Sequence, residues 1–576
     1  MIVASDPNHG VSMMEIEFFL TVIAVAFAFA FPRIGSKTFR RAERSFGQFA
    51  RRKGIAVATI GVATLLLRLA ILPALPVPLP FTPDDFSNLL AADTFASGRL
   101  TNPTPAMWTH FESIHIDMQP TYQSMYFPSL GLVLAAGKVL FGQPWFGALI
   151  VSALMCAAIC WMLQAWLPPG WALLGGVLAM LRLGLFSYWI NTYTGAGLIT
   201  GLGGALVLGA LPRLIKTAKT RYGMLMAVGI VLLALTRPYE GLLLCLPVAI
   251  VLARWIFFGK NRPRPAVLIR RAALPVALMV AGAAWLGYYD YRAFGSPLTL
   301  PYTVNRAAYA MAPYYVWQSP RPEPNYRHPV MRDFYYESEL KVFLKSHGWS
   351  RLVPTVLTKV LIVTLFFAGI ALLPTLVSLP RALLDRRIRF LVLSVLVLIA
   401  GMLIEAFMIP HYLACFTAAF YAIGLQSMRH LRIWSPHGKP IGSMLVRLTV
   451  ILCVVLAGLK VLEGPLNFQT AEWPAANWAL MWSGPGHFGT ERARIEDQLE
   501  QYPGKQLVIV RYGLTHNPSR EWVYNAADIE NSKVIWAREM NAADNLELFH
   551  SYKDRTVWLV QPDADHPNLS PYPSPR

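Results

Sequence analysis

Long apolar runs separated by short polar segments occupy the chain up to about position 462. Runs near 15–31, 55–75, 145–167, 170–186, 196–211, 224–236, 241–258, 272–289, 352–379, 390–409, 413–426 and 444–462 predict about twelve membrane-crossing helices, with ends placed to within several residues. A further run, "FPSLGLVLAAGKVLFG" at 127–142, is apolar enough to cross but is expected to form an interfacial or re-entrant helix on the outer side. Counting it as a span would invert every later loop. Beyond 462 the pattern changes to short apolar runs ("QLVIV", "KVIWARE", "TVWLV") alternating with helical stretches ("TERARIEDQLEQY", "NAADNLELFHSYK"). That alternation predicts a small α/β domain over 463–576.

The domain plan is therefore a helix bundle over 1–462 and an α/β unit after it. Two large outer loops interrupt the bundle, at 81–143 and 291–351. The fold class expected is mainly α, a polytopic membrane bundle. With 55% hydrophobic and 14% charged residues over 576 positions, composition agrees with that plan. The net charge of +19 would suit nucleic acid in a soluble chain. Here Lys and Arg fall in alternate loops ("RRAERSFGQFARRKG", "PRLIKTAKTRYG", "FGKNRPRPAVLIRR", "PRALLDRRIRF", "SMRHLRIWSPHGKP"), so a membrane accounts for them and no nucleic-acid partner is implied. Placing those loops inside puts both large loops and the C-terminal unit outside. Basic residues follow the first apolar run instead of preceding it, so it reads as a retained helix, not a cleavable signal. All five cysteines lie in predicted spans, which leaves no disulfide framework outside and makes Cys156 and Cys160 packing residues.

The first outer loop opens with "FTPDDFSNLL". Thr82 suits an N-cap, Pro83 the first helical position, and Asp85, three residues after Thr82, completes capping-box spacing. A helix from Phe86 should end near Gly98 and lie along the interface. Asp85 thus has a structural task, and Asp84 only a weak helix-dipole benefit.

Other ionisable residues fall at the same predicted level: Arg237 and Glu240 in "TRPYEG", Asn191 and Tyr193 in "SYWINTYTG", Glu405, His411 and Tyr412 in "IEAFMIPHY", and Asp290 with Arg292. Such residues at membrane depth point to a functional site. The competing explanation is internal pairing, Arg237 with Glu240 or Asp290 with Arg292. Arg68 and Arg182 lie inside spans and are expected to snorkel to the outer face. Tyr314, Tyr315 and Trp317 are the aromatics of the second large loop most suited to stacking on a sugar; its other aromatics read as interfacial anchors. No metal-ligand motif stands out. A carboxylate-held divalent ion is the one cofactor left open.

The acidic pair, the amphipathic helix ending at a glycine, and the later "YFPSLGLVLAAGKVLFG" resemble the first outer loop of the GT-C superfamily of integral-membrane glycosyltransferases. The likeness is to the branch of protein O-mannosyltransferases and lipid A aminoarabinose transferases, glycosyltransferase family 39-like. It covers roughly the first 240 residues. The resemblance implies a polyprenyl-phosphate sugar donor entering from the bilayer, with Asp84 as general base, Asp85 as its acidic neighbour, and inversion at the anomeric carbon. Arg237 is the first choice to meet the departing phosphate, followed by Arg99, Lys138, Arg292 and His411. Asn191, Tyr193, Tyr239, Glu240 and Tyr412 are expected to contact sugar or acceptor, which the residues leave as an unknown glycan, lipid or protein. The chain departs from the family where Asp85 replaces a glutamate and Met125 stands where relatives can have lysine. Asn191 stands where some relatives have aspartate, which weakens the case for a metal.

The resemblance places the protein in a bacterial-type inner membrane with its site on the periplasmic side. Three alternatives compete: a glycan polymerase or ligase, a transporter or flippase of lipid-linked sugar, and a non-catalytic relative. A transporter expects charges near the midplane in both halves of the bundle, whereas here most collect at one level.

Overall fold

The structure is a computed structural model that describes residues 13–259, 262–346, 348–463 and 489–573. Helices build the membrane part: α1 (Met13–Ala30), α2 (Ser36–Arg51), α3 (Lys53–Ala70), α4 (Pro83–Ala96), α5 (Pro128–Phe141), α6 (Trp145–Trp166), α7 (Pro169–Asn191) and α8 (Gly197–Thr217). There follow α9 (Thr220–Ala234), α10 (Pro238–Phe258), α11 (Pro265–Phe294), α12 (Pro301–Tyr309), α13 (Trp349–Ala368), α14 (Arg389–Ile404), α15 (Thr417–Arg432) and α16 (Ile441–Leu462). Among the described residues eight helices are long and apolar enough to cross a membrane, or nine if one bent pair counts as a span. The protein is an integral membrane helix bundle.

The count falls short of about twelve for a physical reason. Helices α9, α14 and α15 have 15, 16 and 16 residues, and at ~1.5 Å per residue each covers less than the roughly 30 Å hydrocarbon core. The run at 352–379 is not one span: it breaks after Ala368, and the segments on either side meet at 114°. The break is held from inside the bundle. Arg182 donates to the carbonyls of Phe366 (2.6 Å) and Leu365 (2.5 Å), and Glu17 accepts from the Ala371 amide at 3.0 Å. Gly369 sits there with positive φ, and a side chain would strike Glu17 and Arg182.

Arg182 therefore does not snorkel, and neither does Arg68. The latter is fully buried, bonded to the carbonyls of Leu75 and Pro76 and to Asn191 Oδ1, with its guanidinium 4.7 Å from the Trp145 ring. A buried guanidinium needs acceptors, and nearby carbonyls satisfy it with less reach than the interface would.

The basic segment after α1 is helical, not a loop. Glu43 of α2 accepts from Arg432 (2.6 Å) of α15 and Arg447 (2.9 Å) of α16. Those contacts tie α2 to the basic end of α15 and to the first half of α16.

Helix α5, with 14 residues, is too short to span and packs along α4. A Cβ at Gly131 would lie 2.6 Å from Ala91 Cβ, so glycine sets that approach. Between them the loop forms a two-stranded ribbon, β1 (Ile116–Asp117) antiparallel to β2 (Gln123–Ser124).

The C-terminal segment forms α17 (Thr490–Gln501), β3 (Lys505–Val510), β4 (Val534–Arg538), α18 (Ala542–Ser551), β5 (Arg555–Val560) and β6 (Ser570–Pro571). Strand order is β4-β3-β5-β6, with β3 parallel to both neighbours and β6 antiparallel. Residues 464–488, where the sequence pattern begins this unit, lie outside the described residues. The sheet packs on the first large loop. Leu507, Ile509 and Ile535 join one buried cluster with Leu90, Phe111 and Ile116, and Tyr524 stacks on Phe86 at 4.6 Å. Helix α4 thus lies beneath protein instead of lying bare along an interface.

Candidate functional site

A cavity of 1020 Å³ lies between the two large loops and the adjoining helix ends. Asp84, His115, Tyr126, Arg237, Tyr302 and His411 are among the residues that line it. Its floor is reached from α4, whose first turn is built as the sequence foretells. Thr82 accepts from the Asp85 amide, and Asp85 closes the capping box by accepting from the Thr82 amide.

The two aspartates then diverge. Asp85 is fully buried and does not line the cavity. Its Oδ1 accepts from the Tyr193 amide and the Thr194 hydroxyl, both at 2.8 Å, and its Oδ2 from Thr82 Oγ1 at 2.9 Å. It ties the start of α4 to the loop after α7. Burial pushes its carboxyl above the ordinary aspartate range in spite of these donors.

Asp84 keeps a quarter of its side chain exposed, to the cavity. Both of its protein donors go to Oδ1: His115 Nδ1 at 2.5 Å and the Tyr126 hydroxyl. Burial favours its neutral form, but the His115 charge and hydrogen bond, then the Tyr126 hydrogen bond, outweigh it and hold Asp84 below the ordinary range. Neighbouring carboxyls are thus driven apart, one toward the ionised and one toward the neutral form. Tyr126 remains a donor because burial, then the Asp84 charge, push its hydroxyl far up. His115 takes a left-handed backbone (φ 62), which turns its ring back toward Asp84, and Phe334 packs edge-on against it.

Across the cavity, Arg237 caps α10 and pairs with Glu240 at 2.7 Å, with its guanidinium 3.7 Å over the Tyr412 ring. The internal-pairing account of Arg237 and Glu240 is therefore correct, yet both also line the cavity. Burial opposes the Arg237 charge, and Glu240 with the surrounding phenols more than restores it. His411 accepts or donates at Nδ1 to the Tyr188 hydroxyl (2.8 Å) and leans on Gly195, whose positive φ and missing side chain admit the ring. Tyr239 and Tyr412 complete this wall.

Besides Asp85, five expected site residues stand elsewhere. Lys138 pairs with Asp93 between α5 and α4, and Arg99 bonds to Ser97 at 3.0 Å beyond the end of α4. Arg292 meets Tyr288 on an exposed face of α11. It does not pair with Asp290, which is turned into the protein. Asn191 is occupied by Arg68, and Tyr193 is buried over Asp85. None of the five lines the cavity. Tyr314 and Tyr315 do, whereas Trp317 stacks on Tyr315 at 4.8 Å and is exposed.

Sequence reasoning missed His115, Tyr126, Tyr302 and Arg306. His115 and Tyr126 carry no local signal because they reach Asp84 across 31 and 42 residues. Among the described residues no group of three or more His, Cys, Asp or Glu side chains is placed to hold a metal ion.

The sequence matches no protein-family model and no curated protein. Solved structures of similar outline exist. The Archaeoglobus fulgidus oligosaccharyltransferase, described as a complex with Zn and sulfate, aligns over 88% of this chain and 67% of its own, at 12% identity and TM-score 0.46. ArnT from Cupriavidus metallidurans in the apo state aligns over 87% of this chain and 93% of its own, at 11% identity and TM-score 0.45. Both likenesses are distant.

Proposed function

We propose that the protein is a membrane glycosyltransferase that moves a sugar from a polyprenyl-phosphate donor to an acceptor at the outer face of a bacterial-type inner membrane. The observation that carries this reading is the cavity that a partly exposed carboxylate, Asp84, shares with a half-buried arginine, Arg237. The resemblance of "FTPDDFSNLL" to the GT-C acidic motif gives that carboxylate its role.

In this mechanism an acceptor hydroxyl or amine attacks the anomeric carbon from the side opposite the phosphate. The carbon–oxygen bond to phosphate breaks, and its electron pair leaves with polyprenyl phosphate. The acceptor proton passes to Asp84 Oδ2, the oxygen that His115 and Tyr126 leave open. Arg237 meets the charge that grows on the departing phosphate, with Glu240 and Tyr412 fixing its plane. The cavity extends along α13 past Pro354, Thr358, Lys359 and Ile362, and the same helix exposes Val353, Leu357 and Leu361, an apolar face along which a lipid tail can approach.

The test is incubation of the purified protein with radiolabelled polyprenyl-phosphate sugars. At least one should be consumed with release of polyprenyl phosphate. Consumption of sugar nucleotides in place of all lipid-linked donors would overturn the reading. Arg237→Gln should slow turnover by about 10²- to 10³-fold, in the range seen for loss of one charge-stabilising donor. A smaller deficit, within twofold of wild type, would remove Arg237 from the mechanism. Reporters fused at Thr104, Thr217 and Ser570 should read outside, inside and outside; any reversal breaks the proposed orientation.

A further inference from the structure

Behind the reaction cavity lies a second one, of 170 Å³, walled by Trp108, Tyr309 and Tyr326 and edged by Glu112, Asp117 and Asn325. Helix α12 divides the two. Tyr302 and Arg306, four residues apart, face the large cavity, and Val304 and Ala308, on the opposite side of the helix, face the small one. The ribbon joins them too: His115, in the left-handed turn just before β1, borders the large cavity, and Asp117, at the end of β1, borders the small one.

Asp117 is 2% exposed. Its Oδ1 accepts from Asn305 at 3.0 Å, while its Oδ2 is buried with no hydrogen-bond partner. Buried polar atoms are rarely left that way, and the residue that carries this one is part of the cavity wall. Burial pushes Asp117 up to about 7, so near neutrality it both accepts and donates. Glu112 is different. It accepts from Tyr309 at 2.7 Å and has the Arg327 guanidinium at 3.5 Å, so it already has a donor and a positive partner. The lining is thus not a bare acidic cluster awaiting a cation. Flat aromatic walls beside mixed donors and acceptors fit a ring with apolar faces and a rim of hydroxyls.

We propose that this cavity is a saccharide subsite that holds a neutral sugar residue of the acceptor, so that the acceptor is a glycan. The proposal rests on the transferase reading for its word "acceptor". The large cavity touches α13, the first arm of the bent helix pair, whereas every residue of the small one belongs to the two large loops or α12. A lipid-borne donor has its route on the α13 side, which leaves the far side of α12 to the acceptor.

The test is saturation-transfer NMR of the full-length protein in detergent with methyl glycosides of glucose, galactose, mannose and arabinose. At least one should receive saturation from the wild type. The signal should fall at least fivefold in Asp117→Leu and in Ala308→Trp, the latter filling the mouth from an exposed position that leaves the core untouched. Asp84→Asn should keep it, because that residue borders only the large cavity. Absence of signal with all four glycosides, retention in Ala308→Trp, or loss in Asp84→Asn would overturn the subsite. Binding is read without turnover. A protein that binds glycosides through Asp117 but consumes no lipid-linked sugar would sink the transferase and leave the subsite standing.

Discussion

Asp84→Asn is expected to lower sugar transfer by about 10²- to 10⁴-fold, the usual contribution of a positioned general base. The amide keeps the shape of the carboxylate and can still accept from Tyr126, so the fold should persist and the thermal melt should move little. What is lost is the charge that takes the acceptor proton. Transfer at the wild-type rate in Asp84→Asn would remove the base. The same environment predicts a pH profile. His115 and Tyr126 hold Asp84 below the ordinary aspartate range in spite of burial. The ionised form therefore persists as pH falls through roughly 4, the value of a free aspartate, and is lost only below it. Stability that depends on the Asp84 charge follows the same sign: full above the unfolded-state pKa and lost as pH falls through the folded one. His115→Gln removes the leading compensating charge, so the acid limb of transfer should move to higher pH. An unmoved limb would show that His115 does not govern Asp84.

Asp85→Ala should act on the fold instead. The substitution strips the acceptor from the Thr82 and Tyr193 amides and from the Thr82 and Thr194 hydroxyls, within a site closed to water. Buried donors left without partners cost about 1–3 kcal/mol each at most, and partial relaxation makes a total of about 3 kcal/mol reasonable. The link between α4 and the loop after α7 opens. A lowered melting temperature with turnover reduced in proportion to the folded fraction is the expected pattern. A variant that melts like wild type yet loses all turnover would make Asp85 part of the chemistry and not of the scaffold.

Much of this architecture is legible along the chain because it is local. Apolar runs of spanning length, the alternation after position 490, the capping box at Thr82 and Asp85, and the end of α4 near Gly98 all depend on residues a few positions apart. The capping box also separates the two aspartates by spacing alone, since it accounts for Asp85 and leaves Asp84 without a sufficient local task.

The errors arise where distance in space replaces distance in sequence. Arg99, Lys138 and Arg292 are basic residues at a plausible level, but each turns outward to a neighbour that sequence spacing does not reveal. Arg68 and Arg182 find buried carbonyls instead of the interface because chain crossings bring those acceptors within reach. The run at 352–379 breaks because Glu17 and Arg182, both far away in sequence, hold the amide and carbonyls that the bend releases.

Taken alone, the sequence determines a membrane helix bundle with a small α/β unit and leaves Asp84 without a sufficient local task, because periodicity, capping and charge placement act over one or two helical turns. The tertiary structure decides which side chains share a cavity. His115 and Tyr126 converge on Asp84, Arg237 stands across from it, and α12 splits the space into two chambers. Those relations depend on packing between segments tens to hundreds of residues apart, and no local pattern encodes them.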